Sequence, residues 1–308
     1  MKHAQISIVV PVYNSGNTLQ ELFSRIDNAF SDLREHYQLI LVDDGSTDNS
    51  WEIIEQLKKN NSEKILAVKF VKNFGQHNAI LCGLNYCIGD VIITMDDDLQ
   101  HPPEEIKKLF QKHKETDADV IYGMPIVKKH SMLRKAGSDF LKRTSEYSSE
   151  NNKGGSSFRM IKKEIVLEIK NNQGYNFLFL DATINQITYN IEHVMVEHHS
   201  RKTGKSGYTF GKLISMYLNI LVNYSATPLK LMTYGGLISA FFAFLLGLHF
   251  IYRKLMNNVP LGYTSLIVSI LFSTGLILFC LGIIGQYLYK LFQLQNQKPP
   301  YFIKHILK

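Results

Sequence analysis

The stretch Ile92-Ile93-Thr94-Met95-Asp96-Asp97-Asp98-Leu99-Gln100-His101-Pro102-Pro103 joins a short β-branched run to three consecutive carboxylates, a glutamine and a proline pair. β-Branched residues suit a buried strand. The prolines, followed by Glu104-Glu105, suit the opening turn of a helix. The acids therefore stand between the end of a strand and the start of a helix. Three adjacent carboxylates repel one another, and a folded chain that keeps them together compensates the charge, usually with a bound divalent cation. Such oxygen ligands suit Mg2+ or Mn2+, shared between one or two carboxylates and the phosphates of a substrate. In an extended backbone, side chains two residues apart share a face, so Asp96, Asp98 and Gln100 would face one site. The alternative is a solvated acidic turn, and the flanking sequence decides between the two.

Working outward, strand-like and helix-like segments alternate. Ile6 to Asn14 reads as a buried strand ended by Pro11, and Thr18 to about Leu33 carries Leu19, Leu22, Phe23, Ile26 and Phe30 at helical spacing. Gln38 to Val42 is a second strand, running into Asp43-Asp44-Gly45-Ser46-Thr47-Asp48 and then a helix from about Ser50 to Lys59. A third strand covers Leu66 to Phe70, a helix spans about Gln76 to Cys87, and the strand ending on the acids follows. A further strand is expected from Thr116 to Tyr122. Short connections between alternating elements predict an α/β fold with a parallel sheet covered on both faces. Ligands bind such sheets at the strand carboxyl ends, where Tyr13-Asn14, Asp43-Asp44 and Asp96 to Asp98 all fall.

In the same order, Val9-Val10-Pro11-Val12-Tyr13-Asn14, Val42-Asp43-Asp44-Gly45-Ser46-Thr47-Asp48, Asn73-Phe74-Gly75 and Met95 to Pro103 resemble the motifs of family 2 glycosyltransferases. More closely, the set is similar to the polyprenyl-phosphate glycosyltransferases. The resemblance implies a GT-A nucleotide-sugar-binding fold, inversion at the sugar carbon, a divalent metal (Mg2+ or Mn2+) and a cytosolic donor site. Carried over, it implies that Pro11, Tyr13 and Val42 line a nucleoside pocket and that Asp44 bonds the base or ribose. Asp96, Asp98 and Gln100 would hold the metal against the donor diphosphate, with Asp97 turned away or toward the donor. Where the family often has Glu after Tyr-Asn, this chain has Ser15. An Arg that relatives often carry near Pro125 is absent. Gly154-Gly155-Ser156-Ser157-Phe158-Arg159 aligns with a family segment whose Asp is often assigned as catalytic base, and Ser157 stands in that place. A serine hydroxyl is no general base at neutral pH without an activator. A lipid phosphate is already ionised and needs none, so Ser157 is read as a positioning group. Lys128 to Arg143 is strongly basic; it reads either as a solvated helix face or as an acceptor-side patch for a lipid phosphate at a membrane surface, for which Arg134 and Lys135 are the candidates. Arg201 and Lys205, in a stretch like the family's Arg-x-x-Gly-x-Ser-Lys-Tyr in which Gly207 stands where the family has Lys, would neutralise phosphate charge; the alternative is a cationic loop ahead of a membrane segment.

The 308 residues carry a formal charge of +7, which suits an anionic partner, and three cysteines, too few for a disulfide framework. Met1 to Gln5 runs straight into a strand-like segment without a signal-peptide pattern, so residues 1–208 read as a cytosolic catalytic domain. Residues 209–228 read as an amphipathic helix in the membrane interface. Within 229–290, the runs of about Leu231 to Tyr252 and Tyr263 to Leu288 lack Asp, Glu, Lys and Arg, and each is long enough to span a bilayer. Lysines outside the pair outnumber Arg253 and Lys254 in the link, which predicts a transmembrane hairpin with both ends cytosolic and 291–308 as a cytosolic tail. The expected protein is thus integral to a bacterial inner membrane. It takes a nucleotide sugar, expected to be UDP-linked, and a polyprenyl phosphate as partners, with homo-oligomerisation left open. The basic charge concentrates near the membrane segments, which argues against nucleic acid. Two rivals are weighed. A polysaccharide synthase would carry a Gln-x-x-Arg-Trp segment, but the single Trp is Trp51. A scaffold or flippase partner with a degenerate site would explain Ser15, Pro125 and Ser157 but not the clustered acids.

Overall fold

The computed structural model describes residues 6–126, 156–171, 180–199, 262–295 and 299–308, with isolated positions between 232 and 256. The described residues fall into two units: one holds 6–126, 156–171, 180–199 and 299–308, the other the isolated positions between 232 and 256 and the long helix near the C-terminus. Elements of the first alternate as expected: β1 (Ile6–Val12), α1 (Gly16–Leu33), β2 (Tyr37–Asp43), α2 (Ser50–Asn60), β3 (Ile65–Phe70), α3 (Gln76–Asn85), β4 (Val91–Thr94), α4 (Ile106–Thr116) and β5 (Val120–Pro125). They continue as β6 (Arg159–Lys162), α5 (Lys163–Asn171), α6 (Leu180–Ile187) and β7 (Ile191–Val196). The second unit contains α7 (Tyr263–Gln295), and the chain ends in β8 (Ile303–Leu307), back in the first unit.

One eight-stranded sheet runs β7-β5-β6-β4-β1-β2-β3-β8. Pairings of β1 with β2 and β4, β2 with β3, and β5 with β7 are parallel, whereas β6 and β8 run antiparallel to their neighbours. The α/β, mostly parallel architecture expected from the alternation is therefore present. Strands β1 and β2 are buried along their whole length, as central strands covered on both faces should be. On one face Leu19, Leu22, Ile26 and Phe30 of α1 pack with Trp51, Ile54 and Leu57 of α2 and Leu109 of α4. On the other, Ile80, Leu81 and Leu84 of α3 pack with Ile165 and Ile169 of α5 and Ile184 of α6. The strand expected from Thr116 begins four residues later. Helix α4 continues through Thr116 and is stopped by Asp117 in a left-handed conformation, φ 49°.

Helix α7 covers the second long apolar run in 33 residues. Its side chains are described without a break only over Phe272–Leu288. Among the described residues no helix is long and apolar enough to cross a membrane; the unbroken part lies at the lower end of the roughly 17–25 residues a crossing takes. The two-span hairpin thus remains an expectation. The interfacial helix expected at 209–228 lies outside the described residues.

Candidate active site

Between β3 and β4 the chain passes from one side of β1 to the other. In such sheets the crevice opened by that reversal, beyond the strand carboxyl ends, is where ligands bind. A cavity of about 350 Å3 occupies it. Its walls are Pro11, Val12 and Tyr13 after β1, Asp44 after β2, Asn73, Gly75 and Gln76 around the β3–α3 loop, and Asp96, Asp97 and Asp98 after β4. Three separated polar clusters of the sequence thus meet around one space.

The turns forming the first wall are bonded to one another. Asn14 takes a left-handed conformation, φ 52°, its N–H donates to Ser46 Oγ at 3.0 Å, and its Oδ1 accepts from Thr47 N at 2.8 Å. Asn tolerates that conformation better than most residues. Asp44 Oδ1 accepts from Phe74 N at 2.6 Å and Oδ2 from Gly75 N at 2.8 Å, which ties the β3–α3 loop to β2. Burial nevertheless pushes the Asp44 carboxyl up to about 6, against the opposing pull of those two N–H groups. Gly45 is needed twice over: its φ is +71°, and a Cβ there would lie 2.5 Å from the Lys72 carbonyl carbon. Asp44 thus borders the cavity, but its two oxygens are engaged by backbone.

The acidic wall departs from the extended geometry expected for it. Strand β4 ends at Thr94, and Leu99 is left-handed, φ 59°. The two-residue alternation that would align Asp96, Asp98 and Gln100 therefore does not hold. Asp98 Oδ1 accepts from Gln100 N at 3.1 Å, and the Gln100 carbonyl accepts from His199 N at 2.9 Å. Gln100 is not among the cavity-lining residues. Asp97 faces the first wall, its Oδ2 accepting from Tyr13 N at 3.1 Å. Asp96 accepts from Gln76 Nε2 at 2.6 Å on one oxygen and from Ser157 Oγ at 2.6 Å on the other. Among the described residues no three His, Cys, Asp or Glu side chains converge as a ready-made metal site. Burial raises the Asp96 carboxyl, with Asp98 adding to the shift. Burial also pushes Asp97 up to about 6, with Asp96 and Asp98 as like charges beside it. Anions so disfavoured are what a cation relieves, and two carboxylates with substrate phosphates are an ordinary Mg2+-type donor set.

Behind Asp96 lies a network that sequence reasoning did not assign. Thr94 Oγ1 donates to the Ser157 carbonyl at 2.7 Å and accepts from Arg159 Nε at 3.1 Å. Arg159, only 2% exposed, pairs with Asp181 at the start of α6. Asp181 Oδ1 also accepts from Tyr122 OH at 2.8 Å. A buried guanidinium without such a partner would be strongly destabilising. Gln76 was likewise unassigned; its place directly after Gly75 is the only hint the sequence holds.

The remaining expected residues divide. Val42 is wholly buried against α3, where the strand alternation points it into the core, and is not among the cavity-lining residues. Pro11, Tyr13, Asp44, Asp96, Asp97, Asp98 and Ser157 are brought together as described. Arg134, Lys135, Arg201 and Lys205 lie outside the described residues. The chain leading toward Arg201 runs beside the acids: His198 meets His101 edge-on, ring centroids 5.0 Å apart.

The family model for glycosyl transferase family 2 matches residues 7–187, more than half the chain. The chain belongs to glycosyltransferase family 2. Among similar relatives is an undecaprenyl-phosphate 4-deoxy-4-formamido-L-arabinose transferase of Shewanella sediminis, 33% identical over 316 aligned residues covering 100% of this chain and 95% of the relative. A transferase of the same name from Klebsiella pneumoniae is 29% identical over 99% of this chain and 94% of that one. Among solved structures, S. aureus TarS 1-349 in complex with UDP-GlcNAc aligns with a TM-score of 0.49 at 17% identity, over 71% of this chain and 65% of that one. That likeness is too remote to carry an argument, and the fold reading rests on the strand order. For this glycosyltransferase the matched span runs from β1 to the end of α6, and so takes in every cavity-lining residue.

Proposed function

We propose that this glycosyltransferase is a membrane-anchored, inverting enzyme with a GT-A donor domain. It moves one sugar from a nucleotide sugar, UDP-linked, to a polyprenyl phosphate at the cytosolic leaflet. The observation that carries this reading is the cavity at the β1–β4 crevice, where Asp96, Asp97 and Asp98 face Tyr13 and Asp44. Full-length similarity to proteins named as undecaprenyl-phosphate sugar transferases supports the lipid acceptor. The membrane anchor rests on the two charge-free runs and on apolar side chains of α7 such as Phe272, Ile277 and Phe279, all more than half exposed.

Tyr13 and Pro11 offer a face for the nucleoside, and Asp97 is fixed to the Tyr13 backbone so that the two walls keep their spacing. Asp96 and Asp98 are the residues that would hold a divalent cation, which when bound acts as a Lewis acid toward the leaving diphosphate. Ser157 and Gln76 fix the Asp96 carboxylate from either side. An oxygen of the acceptor phosphate attacks the anomeric carbon in line while the bond to the nucleoside diphosphate breaks, its electron pair leaving with the diphosphate. The acceptor brings its own charge, so Ser157 has no proton to remove. Arg201 and Lys205 neutralise phosphate charge in this scheme, and Arg134 and Lys135 receive the lipid phosphate.

The test uses the full chain in detergent with undecaprenyl phosphate, Mg2+ or Mn2+ and a panel of sugar nucleotides that includes UDP-4-deoxy-4-formamido-L-arabinose. Release of nucleoside diphosphate and a lipid product of matching mass are expected for one donor. If no member of the panel yields either, the proposal fails.

A further inference from the structure

Strand β8 does more than cover a sheet edge. It pairs antiparallel with β3 from Ala67↔Leu307 to Phe70↔Ile303, with an irregularity between Lys69 and Phe70. Just before it, the Phe302 carbonyl accepts from Val71 N at 3.0 Å, extending the pairing into the β3–α3 loop. The Tyr301 ring stacks on Phe70 at 4.9 Å and 9°, and its hydroxyl accepts from Asn85 Nδ2 at 3.0 Å, at the far end of α3. Phe302 packs on Phe74 at 6.0 Å, and Phe74 meets Phe70 edge-on at 5.7 Å. Phe74 and Gly75 are the residues whose N–H groups hold Asp44, and Gly75 is followed by Gln76, which holds Asp96. From the tail, then, a continuous line of packed rings and hydrogen bonds reaches both walls of the cavity.

We infer that Tyr301 and Phe302 are positioning residues for the donor site: the C-terminal tail is a strap that fixes the β3–α3 loop and, through it, Asp44 and Gln76. Asp44 holds the loop's N–H groups and Asn78 Nδ2 donates to the Phe74 carbonyl at 2.8 Å, but the aromatic cover over the Phe74 ring comes from Phe70 and the tail. Asn73 and Gly75 face the cavity, and Gly75 sits at φ +96° with nothing within 4 Å of where a Cβ would be. Aromatic pairs of this geometry contribute beyond their buried area, so removing one ring loosens the loop more than loss of a β8 residue elsewhere. The consequence for catalysis rests on the donor reading of the cavity proposed above; the mechanical claim does not.

Two measurements on the full chain in detergent separate these. Hydrogen exchange of the Phe74 and Gly75 amides should speed at least tenfold in Phe302→Ala and Tyr301→Ala. It should stay within about twofold of wild type in Tyr301→Phe, which keeps the stacked ring, and in Leu307→Ala, at the far end of β8. In transfer assays Phe302→Ala should raise KM for the sugar nucleotide about tenfold and leave KM for the lipid phosphate unchanged. A purely structural role would lower active-protein yield without moving the two constants apart. Unchanged exchange at Phe74 and Gly75 in both alanine variants overturns the strap, as does an equal effect in Leu307→Ala. If wild type transfers no sugar from any donor, the proposed function fails, while the exchange data still decide the strap.

Discussion

Two acidic clusters end parallel strands of this sheet, and they are used differently. At the end of β2, Asp43 Oδ1 accepts from Ser46 N at 3.0 Å, and Asp44, next along, accepts at both oxygens from the N–H groups of Phe74 and Gly75. After β4, Asp96 is held by the side chains of Gln76 and Ser157, with Asp98 beside it on the cavity wall. Backbone donors cannot move away without unmaking the loop, whereas side-chain donors can yield to a ligand. The first cluster is framework; in the second, Asp97 and Asp98 also accept from the backbone, at Tyr13 N and Gln100 N, and Asp96 is the acid held by side chains that can yield.

If that contrast is right, substitutions in the two clusters separate activity from stability. The largest effect belongs to Asp98→Ala. Transfer should fall about a thousandfold, since a metal's charge stabilisation amounts to several kcal/mol, while the melting temperature changes little, because relief of carboxylate repulsion offsets the lost acceptor for Gln100 N. A chelator should abolish wild-type turnover likewise. Thermal melts beside product assays check both; a collapse of the fold in Asp98→Ala would merge the two clusters into one class. Asp44→Ala should act first on stability, with activity affected only through the loosened β3–α3 loop. Two half-buried N–H groups lose their acceptor, at a cost of about 1–2 kcal/mol, read as a lowered melting temperature.

Gln76→Ala tests the intermediate case, a side chain acting on the acid rather than on substrate. Supporting shells of this kind commonly carry 10–100-fold in metal affinity. The concentration of metal giving half-maximal activity should therefore rise about tenfold, with maximal rate at saturating metal restored to near wild type. The smallest effect is expected at Asp48, which joins the turns of the framework wall. Partial burial pushes its carboxyl up, but bonds from Ser50 Oγ and from the N–H groups of Gly16 and Ser50 outweigh it and hold it below the usual range. A lowered folded-state value gives stability that is present above the unfolded value of about 3.9 and is lost as pH falls through the folded one. Asp48→Asn should thus lower the melting temperature slightly near pH 6, the exposed site being screened by solvent, and not at all in acid where wild-type Asp48 is protonated. Melting curves of both proteins across pH 2 to 6 would decide it.

Much of this could be read from the residues in order, for a physical reason. Strands β1 to β4 and helices α1 to α3 carry their apolar pattern locally, and each acid cluster follows a strand directly, so the cavity's position follows from alternation and the switch beside β1. What stayed hidden depends on partners distant in sequence. Gln76 and Ser157 meet at Asp96 from 20 and 61 residues away. The pairing of Arg159 with Asp181 needs α6 to be placed first. Gln100 misled because an extended backbone was assumed where Leu99 turns left-handed. Strand β8 left no local trace: Ile303 to Leu307 has no hairpin partner, and its meaning lies wholly in the edge of β3.

That returning strand also constrains how the chain can be threaded through a bilayer. A sheet cannot be closed across a membrane, and β8 closes the same sheet that β7 belongs to. Whatever is crossed between Val196 and Ile303 must be crossed an even number of times. A single-span anchor would leave the last strand on the wrong side and the N–H and C=O groups along the edge of β3 unpaired. Parity, a property no hydropathy profile of either apolar run contains, is thus written into the hydrogen bonds of five residues at the end of the chain.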